Sequence, residues 1–230
     1  MACRLHITAE GQTELGYVNR VLVPHLGNDH RVVADARAVK TGRKRGKDYR
    51  GGLLVYETAK LDIQTWMKEE AKNHDVWFTT MFDLYALPSD FPGQADARLQ
   101  TDPYEKVRML EDALKEDLGH PLFIPYVQLH EFEALMLADP QKLDSEYLEH
   151  DAAISKLVAS VDGKNPEEIN EGRDSAPSKR IIAEIPEYER QKATVGPVVV
   201  EKIGLATIRQ KCRHFREWID KLESLGKEGK

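Results

Sequence analysis

Over residues 3–131 the chain alternates short apolar, β-branched segments with helically patterned ones four times, and this alternation restricts the fold more than any single residue does. Strand-helix units in series predict an α/β fold: a largely parallel four-stranded sheet, Rossmann-like, with helices on both faces and right-handed crossovers. The first unit opens with Cys3, Leu5 and Ile7 alternating with Arg4, His6 and Thr8, the period of a strand. From Leu15, the residues Val18, Val21, Leu22 and Leu26 follow helical spacing, with Thr13 as the expected cap and Gly27-Asn28 as the stop. Val32 to Val39 reads as the second strand. Leu53 to His74 reads as a long helix whose inner face takes in Leu54, Ala59, Leu61, Trp66 and Met67. Val76 to Phe82 is apolar or β-branched nearly throughout, as a central parallel strand requires, and ends at Asp83. A Pro/Gly-rich loop over 88–92 and a helix from Pro103 to Leu118 follow. Leu122 to Leu129 then gives the fourth strand, which ends at His130-Glu131. The remainder is helically patterned, with breaks expected at Gly163 to Pro166, Gly172 to Pro177 and Gly196-Pro197.

At 230 residues and 41% apolar content the chain can bury one main core and carry a small accessory lobe. The expected division is an α/β domain over 1–140, a helical extension over 141–225 packed on it, and a disordered tail over 226–230. No apolar run approaches the roughly 20 residues of a membrane span, and no charged-then-apolar signal opens the chain. Cys3 and Cys212 form neither a CxxC nor a disulfide framework, so a reducing cytoplasm is expected. The net charge of −6 argues against a general nucleic-acid coat protein, whose affinity comes from neutralising many phosphates. It leaves room for a nuclease, which needs only a local basic track and metal ions to offset its carboxylates.

Acidic residues stand at three strand ends: Glu10, Asp83 and Glu131. Glu14 lies one turn into the first helix, and Glu133 two residues past Glu131. Open α/β sheets bind ligands beyond the carboxyl ends of their strands, so repetition there points to a shared site. Hard cations such as Mg2+ or Mn2+ take oxygen ligands, and two of them about 3.5–4 Å apart serve phosphodiester hydrolysis. Each carboxylate is equally the residue type that the positive end of a helix dipole attracts, and for Glu14 capping and metal binding stand level. Glu131, at the strand-helix junction, is the favoured site residue of its segment, with His130 beside it as a proton carrier. No HExxH spacing and no GxxxxGK[ST] occur, which excludes zinc-protease and P-loop chemistry of those kinds.

Ala9-Glu10-Gly11-Gln12-Thr13-Glu14 resembles the VEGxTE motif of Toprim domains, the catalytic module of topoisomerases, primases and overcoming-lysogenization-defect nucleases. More closely, the chain resembles the DUF4276 family, treated as a divergent Toprim-like group. That resemblance rests on EGQTE at 10–14, FDLYALPSDFPG at 82–93, PYVQLHEFEALMLADP at 125–140, PEEINEGRDSAPSKRI at 166–181 and IGLATIRQKCRHFREW at 203–218. It implies Glu10 as the acid/base or metal glutamate and Asp83 as the first aspartate of the Toprim DxD motif. The second DxD position is Tyr85, so Asp90, Glu131 or Glu133 must compensate, or the fold persists without the chemistry. The resemblance also implies a separate ATPase subunit as partner, in phage-defence or mobile-element systems, and admits a homo-oligomer.

Arg43, Lys44, Arg45, Lys47 and Arg50 lie in a glycine-punctuated loop over 41–52, opposed by Asp48 alone. Such a loop either tracks phosphates at the mouth of the acidic site or is simply solvated. Ser178, Lys179 and Arg180 open a helix, where backbone N–H groups and cations suit phosphate; Ser178 is equally a cap. The sequence therefore supports two readings. One is a metal-dependent nuclease or phosphodiesterase acting on DNA or RNA, with Glu10, Asp83 and Glu131 on the metal and Glu14 and Glu133 assisting. The other is a non-catalytic Toprim-like adaptor that docks a partner.

Overall fold

The structure, a computed structural model, describes residues 3–44, 47–73, 75–169 and 175–228. Strand β1 (Cys3–Ala9) leads into α1 (Gln12–Tyr17), which runs through a π-helical turn over Val18–Leu22 into α2 (Val23–His30). The helix passes the expected stop at Gly27-Asn28 and ends where Arg31 turns left-handed (φ 60°). Strand β2 (Val32–Ala38) follows. The basic segment expected to be a loop is instead an antiparallel ribbon of β3 (Lys40–Lys44) and β4 (Lys47–Arg50). Its exit is tied back by Gly51 N–H to the Val39 carbonyl and by Gly52 N–H to the Glu10 carbonyl, both at 2.9 Å.

Helix α3 (Tyr56–Glu69) starts later than its apolar pattern suggests, because Asp90 accepts the Tyr56 N–H and fixes the first turn there. Leu54 and Leu61, expected inward, are 78% and 56% exposed; Tyr56, Ala59, Ile63 and Met67 are buried instead. Strand β5 (Val76–Asp83) and, after the short α4 (Gln94–Ala97), helix α5 (Pro103–Leu118) match the sequence expectation. Asp102 caps α5 by accepting the Tyr104 and Glu105 N–H groups, and Pro103 sits at its first position.

The fourth strand is split into β6 (Phe123–Ile124) and β7 (Val127–Gln128). Pro125 cannot donate to a ladder, and at Tyr126 the Thr80 hydroxyl both accepts the N–H and donates to the carbonyl, each at 3.0 Å. All pairings of the main sheet are parallel, in the order β2-β1-β5-β6, with β7 continuing along β5. This is an α/β fold with a mostly parallel sheet flanked by helices.

Helices α6 (Glu133–Met136), α7 (Asp151–Val161), α8 (Pro177–Glu184), α9 (Tyr188–Ile203), α10 (Leu205–Lys211) and α11 (Arg213–Glu228) complete the described chain. The later helices share a core with one face of the sheet: Leu5, Ile7 and Tyr17 cluster with Val199, Phe215, Trp218 and Leu222. Trp218 stacks on Tyr126 at 4.1 Å and donates its Nε1–H to Thr79 Oγ1 at 3.0 Å. Removing so well-buried a ring would cost about 3–5 kcal/mol. The opposite face packs Phe78 and Phe82 against Ile63, Val107, Leu110 and Leu114.

Two expected breaks differ. Gly196-Pro197 does not end α9; the helix runs through it. The pair serves the contact with α1: a Cβ at 196 would come within 3.3 Å of Thr13, Phe132 and Tyr188 atoms, and the Pro197 ring lies against Gly16. The tail expected to be disordered from Gly226 continues as helix to Glu228.

Candidate functional site

In strand order, β1 and β5 are neighbours from which the chain departs to opposite sides, β1 to β2 and β5 to β6. The carboxyl ends of two such strands flank the crevice in which open sheets hold ligands. Glu10 follows β1 and Asp83 ends β5, so both acids stand at this point. They are linked directly: the Asp83 N–H donates to Glu10 Oε2 at 2.9 Å. Glu14, buried on α1, turns back so that Oε2 accepts the Gly11 N–H at 2.8 Å. It is thus a cap, in place of the expected Thr13, and also a member of the acidic group. Glu133, buried on α6, is the fourth.

The electrostatics join these four. Burial raises the Glu10 carboxyl to about 8, with Glu14 and Glu133 adding like-charge repulsion and the Asp83 N–H opposing. Burial raises Glu14 to about 7; the Gly11 N–H and Lys192 oppose, and Glu133 adds. Asp83 is driven well above the carboxylate range by burial and then by Glu14, Glu10 and Glu133, with the Phe132 N–H opposing. Its Oδ1 is buried and makes no hydrogen bond. Glu133 is raised by burial and by Glu131. No three of the four carboxylates bring oxygens all within 4.8 Å of one another.

A cation missed by sequence reasoning stands beside them. Lys192 Nζ lies 3.2 Å from Glu133 Oε1, which also accepts the Tyr188 hydroxyl at 3.1 Å. Tyr188 and Lys192 are four apart on α9 and share its face. That spacing was readable, but the helix they belong to, with an expected break at Gly196-Pro197, gave no hint of where the face docks. The close α1–α9 contact through Gly196 brings them to the site.

The other predicted residues go elsewhere. Glu131 does not join the quartet through hydrogen bonds: Oε1 accepts the Ser178 N–H at 2.6 Å and Oε2 the Ser178 hydroxyl at 3.0 Å. The phosphate-like position at the start of α8 is filled by the chain's own carboxylate, and Ser178, 3% exposed, has both donors engaged. Lys179 is exposed, and Arg180 donates Nε–H to the Ser175 carbonyl at 2.9 Å.

His130 is buried in a left-handed turn (φ 62°) with neither ring nitrogen hydrogen-bonded. Burial lowers it to about 4, so it is neutral at pH 7. Tyr85 is 44% exposed with its ring 5.3 Å from that of His130. Asp90 is engaged at α3 and makes no compensation for Tyr85; Glu133 stands with the quartet instead. Arg43, Lys44, Lys47 and Arg50 sit on the ribbon strands whose exit bonds to the Glu10 carbonyl, and Arg45 lies outside the described residues.

Fold and site together define an open parallel α/β protein with an acidic crevice at the carboxyl edge of its sheet. The chain belongs to the family described as Domain of unknown function (DUF4276), whose profile matches residues 9–223. No curated protein and no solved structure matches it. Among the described residues no helix is long and apolar enough to cross a membrane.

Proposed function

We propose that the protein is a Toprim-like, Mg2+- or Mn2+-dependent phosphodiesterase acting on nucleic acid in the cytoplasm, as the effector of a defence complex with a separate ATPase. The observation that supports it most is Asp83: a buried carboxylate at the switch point of the sheet, surrounded by Glu10, Glu14 and Glu133, with Oδ1 unpartnered. Buried polar atoms are normally satisfied, and a cluster of like charges pushed toward protonation is what a bound cation relieves. The donor set, oxygen only, fits a hard divalent ion held by one or two carboxylates and otherwise through water. Glu10 and Asp83 would hold it, with Glu14 and Glu133 completing the negative field. Bound there, such an ion supplies charge neutralisation for a phosphodiester and a more acidic water.

The chain's own residues divide the remaining work. Glu10, raised to about 8, carries a proton at neutral pH and is suited to exchange one with a leaving or attacking oxygen. Lys192 limits the repulsion at Glu133 and Glu14. The β3–β4 ribbon, tied to Glu10, offers basic residues for the backbone of a nucleic acid. Cys3 and Cys212 are both unpaired and buried, as suits a reducing compartment.

Tyr85 in the second DxD position favours a second reading, an adaptor that keeps the fold and docks a partner. The separating experiment incubates the purified protein with supercoiled plasmid, single-stranded DNA and structured RNA in Mg2+, Mn2+ or EDTA, beside Glu10→Ala. Metal-dependent cleavage lost in the variant is the expected result. Cleavage retained by a folded Glu10→Ala protein would overturn the site, and no cleavage with or without an ATPase partner would favour the adaptor.

A further inference from the structure

We propose that His25, His30 and Glu223 form a binding site for a borderline divalent cation of the zinc class, separate from the acidic crevice, where α11 crosses the end of α2. One ligand atom from each of the three lies within 4.8 Å of the other two. His25 Nε2 is 2.8 Å and His30 Nε2 3.5 Å from the same oxygen, Glu223 Oε1. Tetrahedral zinc with bonds of about 2.0–2.1 Å needs donor atoms about 3.3 Å apart, so small side-chain rotations accommodate it. Two imidazoles and a carboxylate are a donor set that zinc prefers and Mg2+ does not. The imidazoles are 20% exposed and Glu223 12%, which leaves water access to a fourth position.

The surroundings resemble those that orient metal ligands. His25 Nδ1 faces Asp29 Oδ2 at 3.4 Å, which favours the tautomer with hydrogen on Nδ1 and a lone pair on Nε2. Arg209 reaches Glu223 Oε2 at 3.2 Å as well as Oε1, and pairs with Asp220, so it can keep Oε2 while Oε1 turns to an ion. The approach of the two helices is specific. A Cβ at Gly226 would lie 1.8 Å from the His30 carbonyl oxygen, so α11 can sit this close only with glycine one turn beyond Glu223. Protons balance simply: a neutral imidazole moves its hydrogen to Nδ1 on binding, and a charged one releases one proton. An ion here would pin the C-terminal helix to the end of α2.

The test uses the untagged full chain, stripped of metal and titrated with ZnCl2 by calorimetry, with bound zinc counted after gel filtration. It is run in wild type and in Asp83→Asn, so that uptake at the acidic crevice is separated. One zinc per chain that survives Asp83→Asn, is lost in His30→Ala and in His25→Gln with unchanged circular dichroism, and binds about tenfold more weakly in Asp29→Asn supports the site. No uptake by wild type, uptake unchanged in both histidine variants, or uptake lost in Asp83→Asn alone would show an ion-pair network and overturn the proposal.

Discussion

Two sets of buried carboxylates sit in this molecule under opposite conditions. Glu131, Glu167 and Asp90 each reach from one segment to the N-terminus of a helix elsewhere: Glu131 to Ser178 of α8, Glu167 to the His214 and Phe215 N–H groups of α11, Asp90 to Tyr56 of α3. There, helix dipoles and backbone donors stabilise the charge, and the contacts join parts of the chain distant in sequence. Glu10, Glu14, Asp83 and Glu133 instead face one another, with Lys192 the cation paired to them, and three are buried hard enough to approach or pass neutral pH. A carboxylate's being buried is thus uninformative by itself. What distinguishes a structural acid from a chemical one here is whether its oxygens are matched by donors.

The contrast is sharpest in activity. Asp83→Asn should lower metal-dependent cleavage by about 10³-fold or more, measured as initial rate on the preferred nucleic acid, whereas Glu131→Gln should leave it within a few fold. A collapse in Glu131→Gln would erase the distinction. Next in size is stability. Glu167 is fully buried and accepts two helix N–H groups and the Tyr104 hydroxyl. Glu167→Ala should therefore cost about 2–4 kcal/mol and lower the melting temperature by roughly 5–12 °C.

The quartet should behave in the reverse sense. Glu10 is about 8 in the fold against an ordinary 4.5. Between these values it holds a proton when folded and loses it when unfolded, so unfolding releases protons and stability falls as pH rises through that window. Metal-free protein should melt lower at pH 8 than at pH 5.5, and millimolar Mg2+ or Mn2+ should flatten the dependence. Glu10→Gln should raise the metal-free melting temperature at pH 8 by about 3–6 °C; a decrease would mean that Glu10 is a satisfied structural acid. The smallest effect is Glu131→Gln on stability, about 1 kcal/mol by thermal melting, since one acceptor for Ser178 remains.

The strands, the central place of β5 and the acids Glu10 and Asp83 were legible because period-two patterning and strand ends are local properties. What the sequence concealed is nonlocal. Glu131 and Glu133 are near neighbours at a strand-helix junction, and the left-handed turn at His130 that sets their directions has no residue signature, since His is not glycine. Glu131 was favoured, yet Glu133 faces the crevice. Ser178 looked like a phosphate ligand because nothing in its own segment announces that Glu131 occupies that helix end. Lys192 was hidden for the same reason: its role depends on how α9 crosses α1.

The π-helical turn over Val18–Leu22 has a consequence for how the gene can vary. Such a turn is equivalent to a single-residue insertion in an α-helix. Deleting any one codon within it would restore regular hydrogen bonding while rotating all of α2 by about 100° and drawing it in by about 1.5 Å. Leu26, wholly buried, would leave the core, and His25 would leave Glu223. Substitutions in this stretch should therefore be tolerated far more readily than changes of length, which makes its reading-frame spacing, more than its residue types, the feature under constraint.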